Sequence, residues 1–173
     1  KFNNNDWSST CAIAEWNYDF MNYEHNSFGH FRACFSKAKE IYKHTAGAFN
    51  PSVYPLVKYW GFFDVEKIEK EVSQTEIDSL LQLVNFEDSM INLFVDTVRK
   101  ADVLLGSQPM ICKQNENIKI DFNAIAQGHS VDVIGAYFKT LGISHYMIEI
   151  GGEVLCKGVN QNNNVWKIGI EKP

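Results

Sequence analysis

The sequence predicts a mixed chain, with helices and strands sharing one domain over residues 1–173. Three stretches carry that expectation. In residues 31–45, Phe31, Cys34, Phe35, Ala38, Ile41 and Tyr42 form one apolar stripe at helical spacing, and Lys37, Lys39, Glu40 and Lys43 fall largely outside it. In residues 146–150, Tyr146, Ile148 and Ile150 alternate with Met147 and Glu149, the period of a strand. Residues 118–134, IKIDFNAIAQGHSVDVI, combine both patterns: a short apolar strand, Ile118 and Ile120, meets Asp121 and then small residues. An amphipathic helix follows, with Val131, Ile134, Phe138 and Leu141 at roughly helical spacing.

Composition sets the outer bounds. A chain of 173 residues is long enough for one sizeable core. Its hydrophobic fraction of 45% is ordinary for a globular protein. A formal charge of -5 without a basic cluster argues against non-specific nucleic-acid binding. No apolar run is long enough to span a membrane as a helix. The chain opens on Lys1 and Asn3-Asn4-Asn5-Asp6 with no signal-peptide pattern, which reads as a fragment or a processed form. Cys11, Cys34, Cys112 and Cys156 form neither a CxxC pair nor a Cys/His metal spacing. Cys34 lies on the apolar helical face and reads as a buried thiol; disulfide pairing stays open.

Along the chain, residues 1–27 are aromatic and polar without clear period, and His25 and His30 have no acid or cysteine at metal-ligand spacing. Gly47 stands where it can end the first helix in a left-handed cap. In the segment that follows, Pro51 and Pro55 forbid a central strand and predict a stiff loop. Tyr59, Trp60 and Phe62 beside it are either core plugs or one wall of a flat ring-binding slot. Ser73-Gln74-Thr75-Glu76 is a capping box, and the helix behind it carries Ile77, Leu80, Leu81 and Val84. Ile91, Leu93 and Val95 alternate like a strand, whereas residues 98–105 fit either type. Residues 154–157 and 165–170 read as a hairpin joined through the Asn160–Asn164 tract. Gly151-Gly152 is either a bulge or a place where another backbone or a ligand comes close.

The stretch around Asp121 is the candidate site. A strand running into a small-residue loop at a helix N-terminus offers backbone N–H groups and a positive dipole end to a phosphate or pyrophosphate. Asp121 is then either a helix cap or an acid offered to a ribose hydroxyl, a base amine or a metal. No side chain stands out as a general base; Asp121 and Asp132 are the acids of this stretch, and Asp132 falls two helical turns in.

Three motifs, in order, resemble the ApbE-like FAD:protein FMN transferases. They are Gly47-Ala48-Phe49-Asn50-Pro51-Ser52-Val53 with Pro55-Leu56-Val57 and Trp60-Gly61-Phe62; residues 121–132, DFNAIAQGHSVD; and Ile150-Gly151-Gly152-Glu153 followed by residues 166–173, WKIGIEKP. Phe2-Asn3 is similar to the end of a further motif nearer the family's N-terminus. The resemblance implies an α+β fold of the T-fold type, an antiparallel sheet with packed helices. It implies magnesium-dependent transfer of FMN from FAD to a threonine or serine hydroxyl of a target protein. The alternatives are hydrolysis of FAD to FMN and AMP, or FAD binding without turnover. By the same resemblance Ala48, Phe49 and Asn50 line the FAD site, Asp121 and Gln127 contact FAD, and the backbone carbonyl of Ala124 reaches the metal. Asn50 stands where Asp is common in the family, Gln127 where Lys or Glu is common, and His129 where Tyr is common. The family pattern also has a methionine-containing FAD motif nearer the N-terminus. Beyond the position of Pro173 it has acidic and hydroxyl magnesium ligands and a histidine motif; none of these lies in residues 1–173. Many members are exported and lipid-anchored on the outer side of the cytoplasmic membrane.

Overall fold

The computed structural model describes residues 11–13, 27–62, 72–100, 103–115 and 117–169. The aromatic start of the chain, His25 and the last residues of the third motif lie outside them. The chain divides into two compact units, Lys1–Phe122 and Asn123–Pro173.

The first unit is built on α1, Ser27–His44, which starts four residues before the apolar stripe. Lys43 and His44 in its last turn suit the negative end of the helix dipole. The helix ends because Ala46 and Gly47 both turn left-handed, at φ 50 and 84. The Gly47 N–H closes the end by donating to the Tyr42 carbonyl at 2.9 Å. The stripe faces the core as expected: Phe31, Cys34, Phe35 and Ala38 are buried. Burial pushes the Cys34 thiol pKa upward, as expected for an inert thiol.

The two-proline segment departs from expectation. It is helical, a 3-10 turn at Pro51–Val53 running into α2 at Tyr54–Tyr59. Each proline falls in the first turn of its helix, where the missing N–H would have no helical partner and the fixed φ is already correct. Trp60 and Phe62 are 54% and 77% exposed, so neither is a core plug. Ser73 caps α3, Gln74–Leu81, as the capping box predicts, accepting from the Glu76 N–H at 3.4 Å. Its own N–H donates to the Tyr59 hydroxyl at 2.9 Å, which ties the end of α2 to the start of α3.

The ambiguous middle resolves into a long antiparallel pair, β2 (Ile91–Lys100) and β3 (Val103–Lys113), with a register shift at Val98/Arg99. β1, Cys11–Ile13, pairs with the other side of β3, so the sheet order is β1-β3-β2. Cys112 is disulfide-bonded, and Cys11 stands opposite it in the register. Residues 118–122 have the burial alternation of a strand, with Ile118, Ile120 and Phe122 fully buried, but they form no ladder among the described residues. Aromatic rings join these parts: Phe31 packs on Phe122 with centroids 5.6 Å apart, and Phe35 packs on Phe86 at 5.3 Å.

Among the described residues of this unit, Lys39 and Lys113 are buried. The Lys39 ammonium lies 4.3 Å from the centroid of the Phe86 ring, donates to the Phe86 carbonyl, and pairs with Asp88 at 3.2 Å. Burial lowers its pKa below the ordinary lysine value, and Asp88 opposes the shift. The Lys113 ammonium donates to the Ile118 carbonyl at 3.1 Å, which helps hold the irregular 118–122 segment beside β3.

The second unit is α4, Asn123–Thr140, against a hairpin of β4, Tyr146–Ile150, and β5, Glu153–Lys157. The hairpin runs through Gly151-Gly152, not through the Asn160–Asn164 tract. Ile150 pairs with Glu153, and the two glycines have φ 59 and 94, the left-handed pair of a type I′ turn. The asparagine tract closes a smaller loop, with a single bridge from Val159 to Val165, and residues 166–169 form no strand. Asn160 satisfies that loop with its own side chain, accepting from the Asn162 and Asn164 N–H groups. Helix and hairpin meet at Gly135, where an added Cβ would lie 2.5 Å from Leu155 Cδ2. The Tyr146 hydroxyl donates to the Gly135 carbonyl at 3.3 Å.

Candidate functional site

The first cluster of expected site residues forms at the end of α1. After the left-handed turn at Ala46-Gly47, the Ala48 N–H donates to the Thr45 carbonyl at 3.1 Å. The Phe49 N–H donates to the Thr45 hydroxyl at 3.0 Å. The same hydroxyl donates to the Ile41 carbonyl at 2.8 Å, so Thr45 clamps the loop onto its helix. Thr45 was not singled out from the sequence; its position on the last turn before Ala46-Gly47 is the signal that would have found it. With both N–H groups engaged, Ala48 and Phe49 have their carbonyls and side chains left to offer a ligand.

Asn50 is the N-cap of the 3-10 turn, in extended conformation. Its Oδ1 accepts from the Ser52 N–H at 3.0 Å and from the Ser52 hydroxyl at 2.6 Å, and its Nδ2 makes a long contact of 3.5 Å to the Val84 carbonyl. An aspartate here would cap equally well but could not donate to Val84. The carboxamide thus has a structural occupation, which the motif match did not reveal.

Asp121 comes to this loop through its main chain. Its N–H donates to the Pro51 carbonyl at 2.7 Å. The first and second motifs are therefore fastened together one residue past Asn50. The Asp121 side chain is partly exposed. By the helix bounds Phe122, not Asp121, immediately precedes the first turn of α4.

The remaining expected residues belong to the second unit. The small residues 123–128 are not a loop before the helix; they are its opening turns. The N-terminus of the helix therefore lies at Asn123, ahead of the small residues rather than after them. Ala124 and Gln127 are exposed on α4. A Cβ added at Gly151 would lie 2.3 Å from Gln127 Nε2 and 3.0 Å from its Cδ, so the Gln127 carboxamide rests over the glycine turn. The second and third motifs meet at that contact.

The metal is less well provided for. Among the described residues no three His, Cys, Asp or Glu side chains come together to hold an ion. Ala124 offers only a main-chain oxygen within α4. Magnesium needs a near-octahedral set of oxygens, and the described residues alone do not fit one.

Mixed helices with small antiparallel sheets are the architecture of solved flavin transferases. The Vibrio cholerae flavin transferase ApbE matches with a TM-score of 0.68 and 29% identity, covering 83% of this chain and 42% of that one. The apo Pseudomonas stutzeri flavinyl transferase ApbE, at 24% identity, shares the fold with the same TM-score over 98% of this chain and 46% of its own. The chain belongs to the ApbE family, whose model matches residues 4–173. Among curated relatives, the FAD:protein FMN transferase of Vibrio cholerae is 32% identical over 75% of this chain and 34% of its own length. That of Haemophilus influenzae is 29% identical over 83% and 38%. The chain thus spans somewhat more than a third of these curated relatives.

Proposed function

We propose that this chain takes part in a magnesium-dependent FAD:protein FMN transferase reaction, with a threonine or serine hydroxyl of a target protein as acceptor. Family membership supports the reading. The observation that carries it in this chain is the 2.7 Å hydrogen bond from the Asp121 N–H to the Pro51 carbonyl. It joins the loop matching the FAD-lining motif to the acid matching a FAD contact.

In this reading the acceptor oxygen attacks the FMN phosphorus. A new P–O bond forms, the pyrophosphate bridge breaks, AMP leaves with the bridging oxygen, and the hydroxyl proton is released. Charge builds on the non-bridging oxygens, and preorganised N–H donors lower that barrier. A helix N-terminus is of the type that serves. Ala48, Phe49 and Asn50 line the nucleotide, and Asp121 and Gln127 bind and orient it. The described residues do not hold a magnesium ion by themselves; one held with the help of ligands beyond them would supply charge neutralisation on the pyrophosphate. By family resemblance the protein is placed in the periplasm or, lipid-anchored, on the outer face of the cytoplasmic membrane; the disulfide at Cys112 supports only the oxidising compartment.

The test is product analysis after incubation with FAD and magnesium, with and without an acceptor protein. AMP release with FMN mass on the acceptor is expected. Free FMN with AMP would make the chain a pyrophosphatase. FAD binding without AMP would make it a flavin-binding protein. Absence of FAD binding would refute the reading, and chelation of magnesium should abolish product if it holds.

A further inference from the structure

We infer that Gly151 is a positioning residue of the flavin-nucleotide site, acting through the carboxamide of Gln127. The inference rests on the proposed function for what Gln127 touches; the placement of Gln127 is independent of it. The turn between β4 and β5 has φ 59 at Gly151 and φ 94 at Gly152. A type I′ turn accepts Asn at its first central position, here Gly151, while its second favours Gly. Turn geometry alone therefore does not call for glycine at both.

The two glycines differ in what surrounds them. Nothing lies within 4 Å of a Cβ added at Gly152. A Cβ at Gly151 would lie 2.3 Å from Gln127 Nε2, 3.0 Å from Cδ and 3.6 Å from Oε1. All three are atoms of one carboxamide, at the far end of a flexible side chain. Any side chain at 151 must push that group aside, and a flexible side chain moves at small cost to the fold. What changes is where the amide points. The missing Cβ of Gly151 is the seat that keeps the Gln127 carboxamide down on the turn.

The pair Gly151→Asn and Gly152→Asn separates seat from turn: Asn is among the residues most tolerant of positive φ, the greater backbone strain falls on Gly152→Asn, and only Gly151→Asn meets Gln127. FAD is titrated with magnesium present against each variant, against Gln127→Ala and against the Gly151→Asn/Gln127→Ala double variant, with thermal melting alongside. Expected is roughly a fivefold loss of affinity for Gly151→Asn, the scale of one neutral hydrogen bond. Gly152→Asn should bind as the unsubstituted protein does. The double variant should lose no more than Gln127→Ala alone, since both remove the same contact. Unchanged affinity in Gly151→Asn, equal losses in both glycine variants, or additive losses in the double variant would overturn the inference and leave the FAD reading standing. No FAD binding by the unsubstituted protein would refute the functional reading, and the inference with it.

Discussion

Replacing Asn50 with alanine tests whether its carboxamide is committed to the fold or free for the nucleotide. The structure gives the side chain three contacts: Oδ1 to the Ser52 N–H at 3.0 Å, Oδ1 to the Ser52 hydroxyl at 2.6 Å, and the long Nδ2 contact to Val84. Losing the N-cap costs about 1 kcal/mol. Ser52 is fully buried, so its hydroxyl loses a short hydrogen bond where water cannot substitute. That adds about 1–2 kcal/mol. The 3.5 Å contact is too long to add much. Asn50→Ala should therefore destabilise the protein by about 2–3 kcal/mol, roughly 5–10 °C in Tm at this chain length. Asn50→Asp keeps the acceptor and should stay within about 0.5 kcal/mol. Ser52→Ala removes the hydroxyl that would be stranded, so the double variant should lose less than the two single losses added together. Urea denaturation of the four variants and the unsubstituted protein measures all of this. If Asn50→Ala unfolds at the same urea concentration as the unsubstituted protein, the carboxamide is not the cap that its distances describe.

Further expectations attach to other positions. Asp121→Asn leaves the main-chain bond to Pro51 intact; if the carboxylate binds FAD, affinity should fall roughly ten- to a hundredfold with little change in melting, and intact affinity would make the acid scaffold. Gly128 sits inside α4 with nothing within 4 Å of an added Cβ, so Gly128→Ala should raise stability by about 0.5–1 kcal/mol, and a lower melting temperature would contradict that open space. Asp88 has its pKa lowered by its hydrogen bonds to Lys43 and then Lys39. A depressed carboxylate contributes stability above its unfolded pKa and loses it as pH falls through the folded value. The stability gap between the unsubstituted protein and Asp88→Asn should thus be level near neutral pH and close below about pH 4, where an ordinary aspartate protonates. A gap that persists at pH 2 would point to packing instead.

Elements with a strong local signal were legible in the sequence. The stripe of α1, the capping box of α3 and the alternation of β4 each depend on neighbouring residues alone. The misread segments depend on partners elsewhere. Pro51 and Pro55 exclude a strand, but only the cap at Asn50 and the junction with Asp121 turn the segment helical. Residues 118–122 alternate like a strand, yet they join no ladder among the described residues, and Lys113 and Pro51 bond to them from elsewhere in the chain. The asparagine tract reads as the hairpin turn in the sequence, while in the structure the tighter Gly151-Gly152 turn joins the paired strands. At the candidate site, motif matching brought out Ala48, Phe49, Asn50, Asp121, Ala124 and Gln127. It was silent on Thr45 and on the Asn50 cap, because a side chain that holds a loop leaves no signature beyond its own position.

The burial of Lys39 and Lys113 makes the first unit readable by chemical labelling. An amine-reactive reagent meets Lys37, Lys43 and Lys58 at the surface, as well as Lys139, Lys157 and Lys167 of the second unit. Lys39, under the Phe86 ring, and Lys113, 2% exposed, should stay unmodified for as long as α1 and the end of β3 hold together. Peptide mass mapping over a denaturant series would report the opening of that unit through two amines, without any engineered probe.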